Sequence, residues 1–402
     1  MTRFQRQRDS GEEQRATALE LFYDLVFVFA ITQVSHMLLD NLTWEGAGQA
    51  SLVLLVVWWA WNYTTWVTNE LDPDSIAVRL LLMGIMLGSL LMAVAIPEAF
   101  GAHGLLFAGA YVAIQVGRHA FLTFVSADAG TIERERAGRI LTWLVAAGIL
   151  WIAGGLAEGS ERAALWVAAL AVDYVAPFVT YWVPGRPRLS GASWDVQAAH
   201  FAERFQLFVI IALGETIVIT GTTTSELDLD LAVVSAFALA FLGTAALWWL
   251  YFSYVSTILQ RRLELASDST TIARDAYTYL HAAIVAGIVL SAVGDELVIA
   301  HPTEVLPGPE LATVVAGPAL YLLAHVALRL RMTGTISGKR LSGALACLAI
   351  AGVGLFAPAL VVGALLVAVL ATVIVVERVA ELRRRGRGEP SALERLEASP
   401  SS

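Results

Sequence analysis

In the stretch ELFYDLVFVFAITQVSH, residues 20–36, two carboxylates, Glu20 and Asp24, stand one helical turn apart in an otherwise apolar and aromatic run. Their i, i+4 spacing puts both on one helix face. A second run, HFAERFQLFVIIALGETIVITG at 200–221, carries His200, Glu203, Arg204 and Glu215 in equally apolar surroundings. His200, Arg204, Phe208, Ile211 and Glu215 follow steps of three and four and share one stripe. Such groups can pair as ions, carry protons or line a polar path. Helical rise places Asp24 about 6 Å deeper than Glu20, with Arg204 at nearly the same depth as Asp24. Neither tolerates isolation in hydrocarbon, so the two are expected to pair. The pair either fixes helix packing alone or takes part in a solute or proton path.

Glu215 lies about 16 Å along the helix from Arg204, beyond direct reach. Beside the glycine of ALGET it either carries a proton or stays protonated and bonded to a backbone carbonyl. Asp173, in AVDYVAPFVTYW, precedes Pro177 by four residues. A proline frees a backbone carbonyl, which points to a polar cavity or to a simple kink. His281, with Gln115 and His119, either extends a hydrogen-bonded chain or is a satisfied core residue. Trp58, Trp59, Trp61, Trp248 and Trp249 fall near mid-span rather than in interfacial belts. They form an aromatic wall for a cationic or planar solute, or they are packing groups. Gly84 and Gly88 in GIMLG make a G-x-x-x-G close-packing signal.

The elements that must hold these groups follow from composition. The chain has 402 residues, 57% hydrophobic and 15% charged, with a mean hydropathy of +0.67. A bilayer-crossing helix takes about 20 apolar residues. The apolar runs predict an all-α polytopic membrane protein with about twelve transmembrane helices, at 18–38, 48–69, 76–97, 103–125, 138–157, 163–183, 199–221, 231–256, 275–297, 310–330, 341–356 and 358–380. A barrel would show short alternating segments instead. Cys347, the single cysteine, reads as inert packing. Arg3, Arg6, Arg8 and Arg15 precede no short apolar region with a cleavage site, so the first apolar segment is expected to stay as a helix.

The positive-inside rule sets the orientation. With the N-terminus in the cytoplasm, nearly all basic residues, Arg118 and Arg139 among them, collect on that side. The external loops keep only Arg162, and Arg204 is read as the one basic residue inside a span. Both termini are then cytoplasmic. The halves echo each other. ELFYDLVFVFAIT aligns with ERFQLFVIIALGE, WWAWNY at 58–63 with WWLYFSY at 248–254, and YVAIQVGR at 111–118 with YLLAHVALR at 321–329. The expected organisation is a 1–17 cytoplasmic segment, a six-helix repeat at 18–183, a linker at 184–198, a second parallel repeat at 199–382, and a basic tail at 383–402 that ends in disorder. Parallel repeats of this kind occur in carriers.

The motifs E-L-F-Y-D-L-V-F-V and H-x-x-E-R-F-x-L-x-V-I-I-A-L-G-E resemble those of the low temperature requirement A family of bacterial membrane proteins, over residues 16 to 380. The resemblance implies a membrane protein needed for growth in the cold; it brings no substrate or reaction. The leading expectation is a secondary transporter or permease, proton-linked, whose halves rock around a central site. The rival is a membrane-embedded enzyme acting on a lipid or isoprenoid carrier near Glu20, Asp24, His200 and Glu203; a scaffold or sensor is the third reading. The expected partners are the lipid bilayer and a small solute or proton, and a homo-oligomer is left open. No cofactor and no metal site are expected: no span carries a helical His pair, and P-loop, G-x-S-x-G, H-E-x-x-H and C-x-x-C motifs are absent. Nucleic-acid binding is not expected either, since the basic residues are those the membrane orientation demands.

Overall fold

In hydrocarbon each backbone N–H and C=O must be satisfied inside its own segment, so apolar runs of this length become helices. The computed structural model describes residue 4 and residues 15–189, 194 and 196–398, apart from the side chains of Tyr254 and Ala392. Arg3, Arg6 and Arg8, part of the 184–198 linker and the last four residues of the tail lie outside the described residues. The helices run α1 (Ala18–Leu39), α2 (Trp44–Thr68), α3 (Ile76–Ala95), α4 (Gly104–Phe121), α5 (Ile132–Leu156), α6 (Gly159–Val175), α7 (Ala198–Ser225), α8 (Leu231–Leu250), α9 (Ser256–Leu265), α10 (Ser269–Ile272), α11 (His281–Ala300), α12 (Gly308–Thr333), α13 (Gly338–Gly354), α14 (Ala359–Gly386) and α15 (Ala392–Ala398). Wider π-helical turns extend α4 over Leu122–Ser126, join α8 to α9 over Tyr251–Val255 and join α10 to α11 over Ala273–Leu280.

Among the described residues, nine helical stretches are long and apolar enough to cross a membrane. Each of the twelve expected spans coincides with a helix, but three fall short. α6 and α13 have 17 residues each. α2 is long enough, yet its two ends, WEGAGQAS and WNYTTWVT, are too polar. Twelve spans and two repeats therefore rest on sequence pattern alone. The outward faces suit a lipid bilayer: on α1, Leu21, Phe22 and Leu25 are exposed while Glu20 and Asp24 are buried. This is the reverse of a water-soluble helix.

Contacts divide the chain into two compact units, one of Met1–Met37 and Trp44–Arg204, the other of Leu38–Thr43 and Phe205–Ser402. The boundary falls inside α7 rather than in the 184–198 linker. In the first unit α6 stops at Val175, short of the expected 183, because Pro177 cannot donate the next helical bond. Thr180 and Tyr181 then take positive φ of 51° and 50°. That left-handed pair turns the Tyr181 hydroxyl to within 2.7 Å of the Tyr63 hydroxyl. Arg162, the exception to the charge asymmetry, is a buried cap. Its guanidinium donates to the carbonyls of Gly154 and Ala157 at the end of α5 and to those of Ala99 and Gly101. A cation there also meets the negative end of the α5 dipole.

In the second unit the close helix contact is between α11 and α12. A Cβ at Gly287 would lie 2.6 Å from the Tyr321 backbone nitrogen, and one at Gly317 would lie 2.6 Å from that of Ser291. Glycine lets the two backbones touch. The G-x-x-x-G of α3 acts at one of its two glycines: a Cβ at Gly88 would lie 2.9 Å from the Ile114 side chain of α4, while nothing lies within 4 Å of one at Gly84. The tail is not wholly irregular either. Its residues 392–398 form α15, started by a reciprocal cap in which Ser391 and Glu394 each accept the other's backbone N–H.

Candidate functional site

Five of the expected residues, Glu20, Asp24, His200, Glu203 and Arg204, meet inside the first unit, where α1 and α7 begin. α1 is started by Thr17 and Glu20. The Glu20 carboxylate accepts from the Thr17 backbone N–H and hydroxyl, while Thr17 Oγ1 accepts from the Glu20 N–H. This is a capping box, and it explains why an acid stands at the rim of an apolar helix. Glu203 reinforces the same end by accepting from the Ala16 N–H at 2.8 Å. One turn deeper, Arg204 grips Asp24 with both terminal nitrogens, Nη1 to Oδ2 and Nη2 to Oδ1, each at 2.7 Å. The Trp61 indole of α2 donates to Asp24 Oδ1 at 2.8 Å, and its ring lies 6.0 Å from the guanidinium carbon. Asp24 and Arg204 are both 0% exposed. A two-pronged pair fixed by a third donor is the strongest geometry a buried ion pair can take.

His200 lies 3.0 Å from Glu20 through Nε2. Asn69, just past α2, decides its tautomer. Asn69 Oδ1 accepts from the Gln197 N–H at 2.9 Å, so its amide nitrogen faces His200 Nδ1 at 3.1 Å. Nδ1 must accept, and the ring proton sits on Nε2, facing the carboxylate. The amide orientation is thus set by the backbone of Gln197.

A second buried chain crosses the same unit from α6 to α1. Asp173 Oδ2 accepts from the Tyr111 hydroxyl at 2.8 Å and the Trp151 indole at 3.0 Å. Gln115 Nε2 donates to the Tyr111 oxygen at 3.0 Å, and Arg118 donates to Gln115 Oε1. Arg118 Nη1 reaches Thr64 Oγ1 at 2.8 Å and the Ala60 carbonyl at 3.4 Å, which also accepts from the Tyr23 hydroxyl. Arg118 is 0% exposed on α4 and Arg139 1% exposed on α5, so the reading of Arg204 as the one basic residue inside a span is corrected. The signal was present, since Tyr111, Gln115 and Arg118 follow i, i+4, i+7 on one helix face. α2 serves both clusters, through Trp61 on one and Thr64 on the other. His119 turns Nδ1 to the Gln115 carbonyl at 3.2 Å and is a satisfied core residue.

Of the remaining expected residues, Glu215 and His281 fall in the second unit. Glu215 is buried on the part of α7 that belongs to the second unit, beside Thr216, whose hydroxyl meets that of Thr244 at 2.8 Å. His281, also in the second unit, accepts from the Tyr251 hydroxyl at 2.8 Å through Nε2, turns Nδ1 to the Ala276 carbonyl at 2.8 Å, and stacks on Tyr277. The π-helical turns at 251–255 and 273–280 carry these partners; such turns often accompany functional sites. Trp58 and Trp59 are buried packing groups, Trp58 against Trp61 and Trp59 stacked on Tyr174 at 3.9 Å. Trp248 and Trp249 are 45% and 52% exposed on the outside of the second unit, where a large apolar ring suits lipid.

No solved structure matches the chain. It is 40% identical over 320 residues to "Uncharacterized protein RA0937" of Rhizobium meliloti (strain 1021), an alignment that covers 78% of this chain and 77% of that protein. The embedded acids and arginine of α1 and α7 lie within residues 15–375, which match the family described as Bacterial low temperature requirement A protein (LtrA). The chain belongs to the low temperature requirement A family of bacterial membrane proteins.

Proposed function

We propose that the protein is a proton-linked secondary transporter of the bacterial inner membrane, with both termini cytoplasmic. Its coupling site is the cluster of Glu20, Asp24, His200 and Arg204. The observation that carries this reading is the complete burial of two carboxylates, an imidazole and a guanidinium on two apolar helices. Ionisable groups within spans cost roughly 2.5–3.5 kcal/mol each on insertion scales, and a packing device needs only one pair. Arg204 Nε has no hydrogen-bond partner among the described residues, so the clamp keeps one donor in reserve. A proton delivered to Glu20 removes one of the two negative charges close to Arg204 and alters the balance at Asp24. Release and re-formation of the Asp24–Arg204 pair would then accompany passage of the solute, with the two sequence repeats supplying alternating access.

The family's name supplies the assay. A deletion strain is complemented with wild type, Asp24→Asn/Arg204→Gln or Glu215→Gln, and growth in the cold is scored alongside membrane levels and metabolite pools. The double variant should reach wild-type levels in the membrane yet fail to restore growth or the solute pools. Full rescue by the double variant would reduce the cluster to a helix clasp and sink the proposal.

A further inference from the structure

The second unit holds a polar feature that none of these groups uses. Where α12 ends, α13 begins and α14 ends, a cavity of ≈950 Å³ opens, with α8, α9 and α15 completing its wall. That lies at the upper end of ligand-pocket sizes. Its lining brings seven basic side chains against two carboxylates, Glu377 and Glu381. Both acids are already engaged. Arg340 grips Glu377 through Nε at 2.9 Å and Nη2 at 3.0 Å, and Glu381 pairs with Arg378 and Arg385. Arg262, Arg384 and Arg395 make no ion pair among the described residues. α15 is held in place by Arg261, which donates to Glu397 at 3.1 Å.

His325 also lines the cavity and is 2% exposed. Its Nδ1 is 2.8 Å from the Tyr321 carbonyl and so carries the proton. Nε2 is left as an acceptor with no partner among the described residues. A buried acceptor without a donor calls for explanation. Ile258, Leu328, Met332 and Ile374 add apolar surface to the wall, which reaches the outward-facing Trp249. A ligand that satisfies the whole lining has an anionic group for the arginines, a hydroxyl for His325 and an apolar tail along Trp249.

We propose that this cavity binds a phospholipid with an anionic, hydroxyl-bearing headgroup, its phosphate between Arg262, Arg384 and Arg395, its hydroxyl on His325 Nε2 and its acyl chains on the Trp249 side. Basic pockets between membrane helices hold anionic headgroups in this manner. The site is independent of the cluster in the first unit, so either reading can fail without the other.

The test uses the full chain in neutral detergent, titrated with dioleoyl phosphatidylglycerol, dioleoyl phosphatidylcholine or glycerol 3-phosphate, with bound lipid read by native mass spectrometry. One phosphatidylglycerol should be retained in preference to phosphatidylcholine. Arg262→Gln/Arg384→Gln should weaken that binding about thirtyfold, taking about 1 kcal/mol per arginine. Arg383→Gln/Arg387→Gln removes the same charge outside the cavity and should change it less than about threefold. His325→Phe keeps the ring shape and should lose about three- to tenfold, one hydrogen bond's worth. Equal retention of the two lipids, equal losses in the two arginine pairs, or displacement of the lipid by glycerol 3-phosphate at comparable concentration would each overturn the assignment.

Discussion

Removing one partner of the Asp24–Arg204 pair should destabilise the protein far more than removing both. Each arm of the clamp is 2.7 Å long, and both side chains are fully buried. At a charge separation of about 4 Å and an effective dielectric constant of about 20, the attraction is about 4 kcal/mol. Arg204→Gln leaves Asp24 with the Trp61 indole as its remaining donor in the clamp, and Asp24→Asn leaves the guanidinium facing an amide. Each single variant should therefore lose about 3–5 kcal/mol, the usual penalty for half of a buried pair. In Asp24→Asn/Arg204→Gln the new amide oxygen still accepts from Trp61 and the two amides can bond to each other. The double variant should lose less than about 2 kcal/mol, since a matched neutral replacement of a buried ion pair is often near neutral. The coupling energy from the cycle is then at least about 4 kcal/mol. Unfolding of the four proteins by titration with sodium dodecyl sulfate in mixed micelles, followed by circular dichroism, measures it. Salt up to about 0.5 M should leave the coupling unchanged because the pair is out of reach of ions. Additive single losses, with a coupling below about 1 kcal/mol, would refute the claim that the two charges depend on each other.

Two further outcomes follow from the packing. Gly317→Val should destabilise the second unit by about 1–3 kcal/mol, because the new atoms meet the Ser291 backbone, which cannot turn aside; Gly84→Ala, open on all sides, should be neutral or gain up to about 1 kcal/mol. Both are read from the same micelle titration. Asp173→Asn should stay within about 1 kcal/mol of wild type, since an amide oxygen still accepts from Tyr111 and Trp151, whereas Asp173→Leu strands both buried donors and should lose about 2–4 kcal/mol.

The site was partly legible in the chain. Depth arithmetic along two apolar helices was enough to match Asp24 with Arg204, because rise per residue is fixed and a lone charge in hydrocarbon is not tolerated. The capping role of Glu20 was missed, although T-A-L-E at 17–20 is a capping box, a local pattern that needs no tertiary knowledge. The same holds for S-A-L-E at 391–394, which starts a helix in a tail expected to end in disorder. Arg118 was misplaced because a charge count by position cannot see whether a side chain turns back into its bundle. Trp61 and Trp59 share one motif but part ways, one donating to Asp24 and the other stacking on Tyr174. Trp248 and Trp249 sit in an echo of that motif and face outward instead. Which face of a helix is buried depends on its neighbours, and an all-apolar helix carries little periodic signal of its own.

By itself, the sequence determined that this chain forms long apolar helices and that its few embedded charges must be partnered, since both follow from the energetics of single segments in lipid. Only the tertiary structure decided which partners they take: Asn69 setting the His200 tautomer, Arg118 reaching Thr64, and a basic cavity gathered from six separate helices. Those contacts join residues tens to more than a hundred positions apart. No local spacing rule encodes them, because they depend on how whole helices pack rather than on any one helix's pattern.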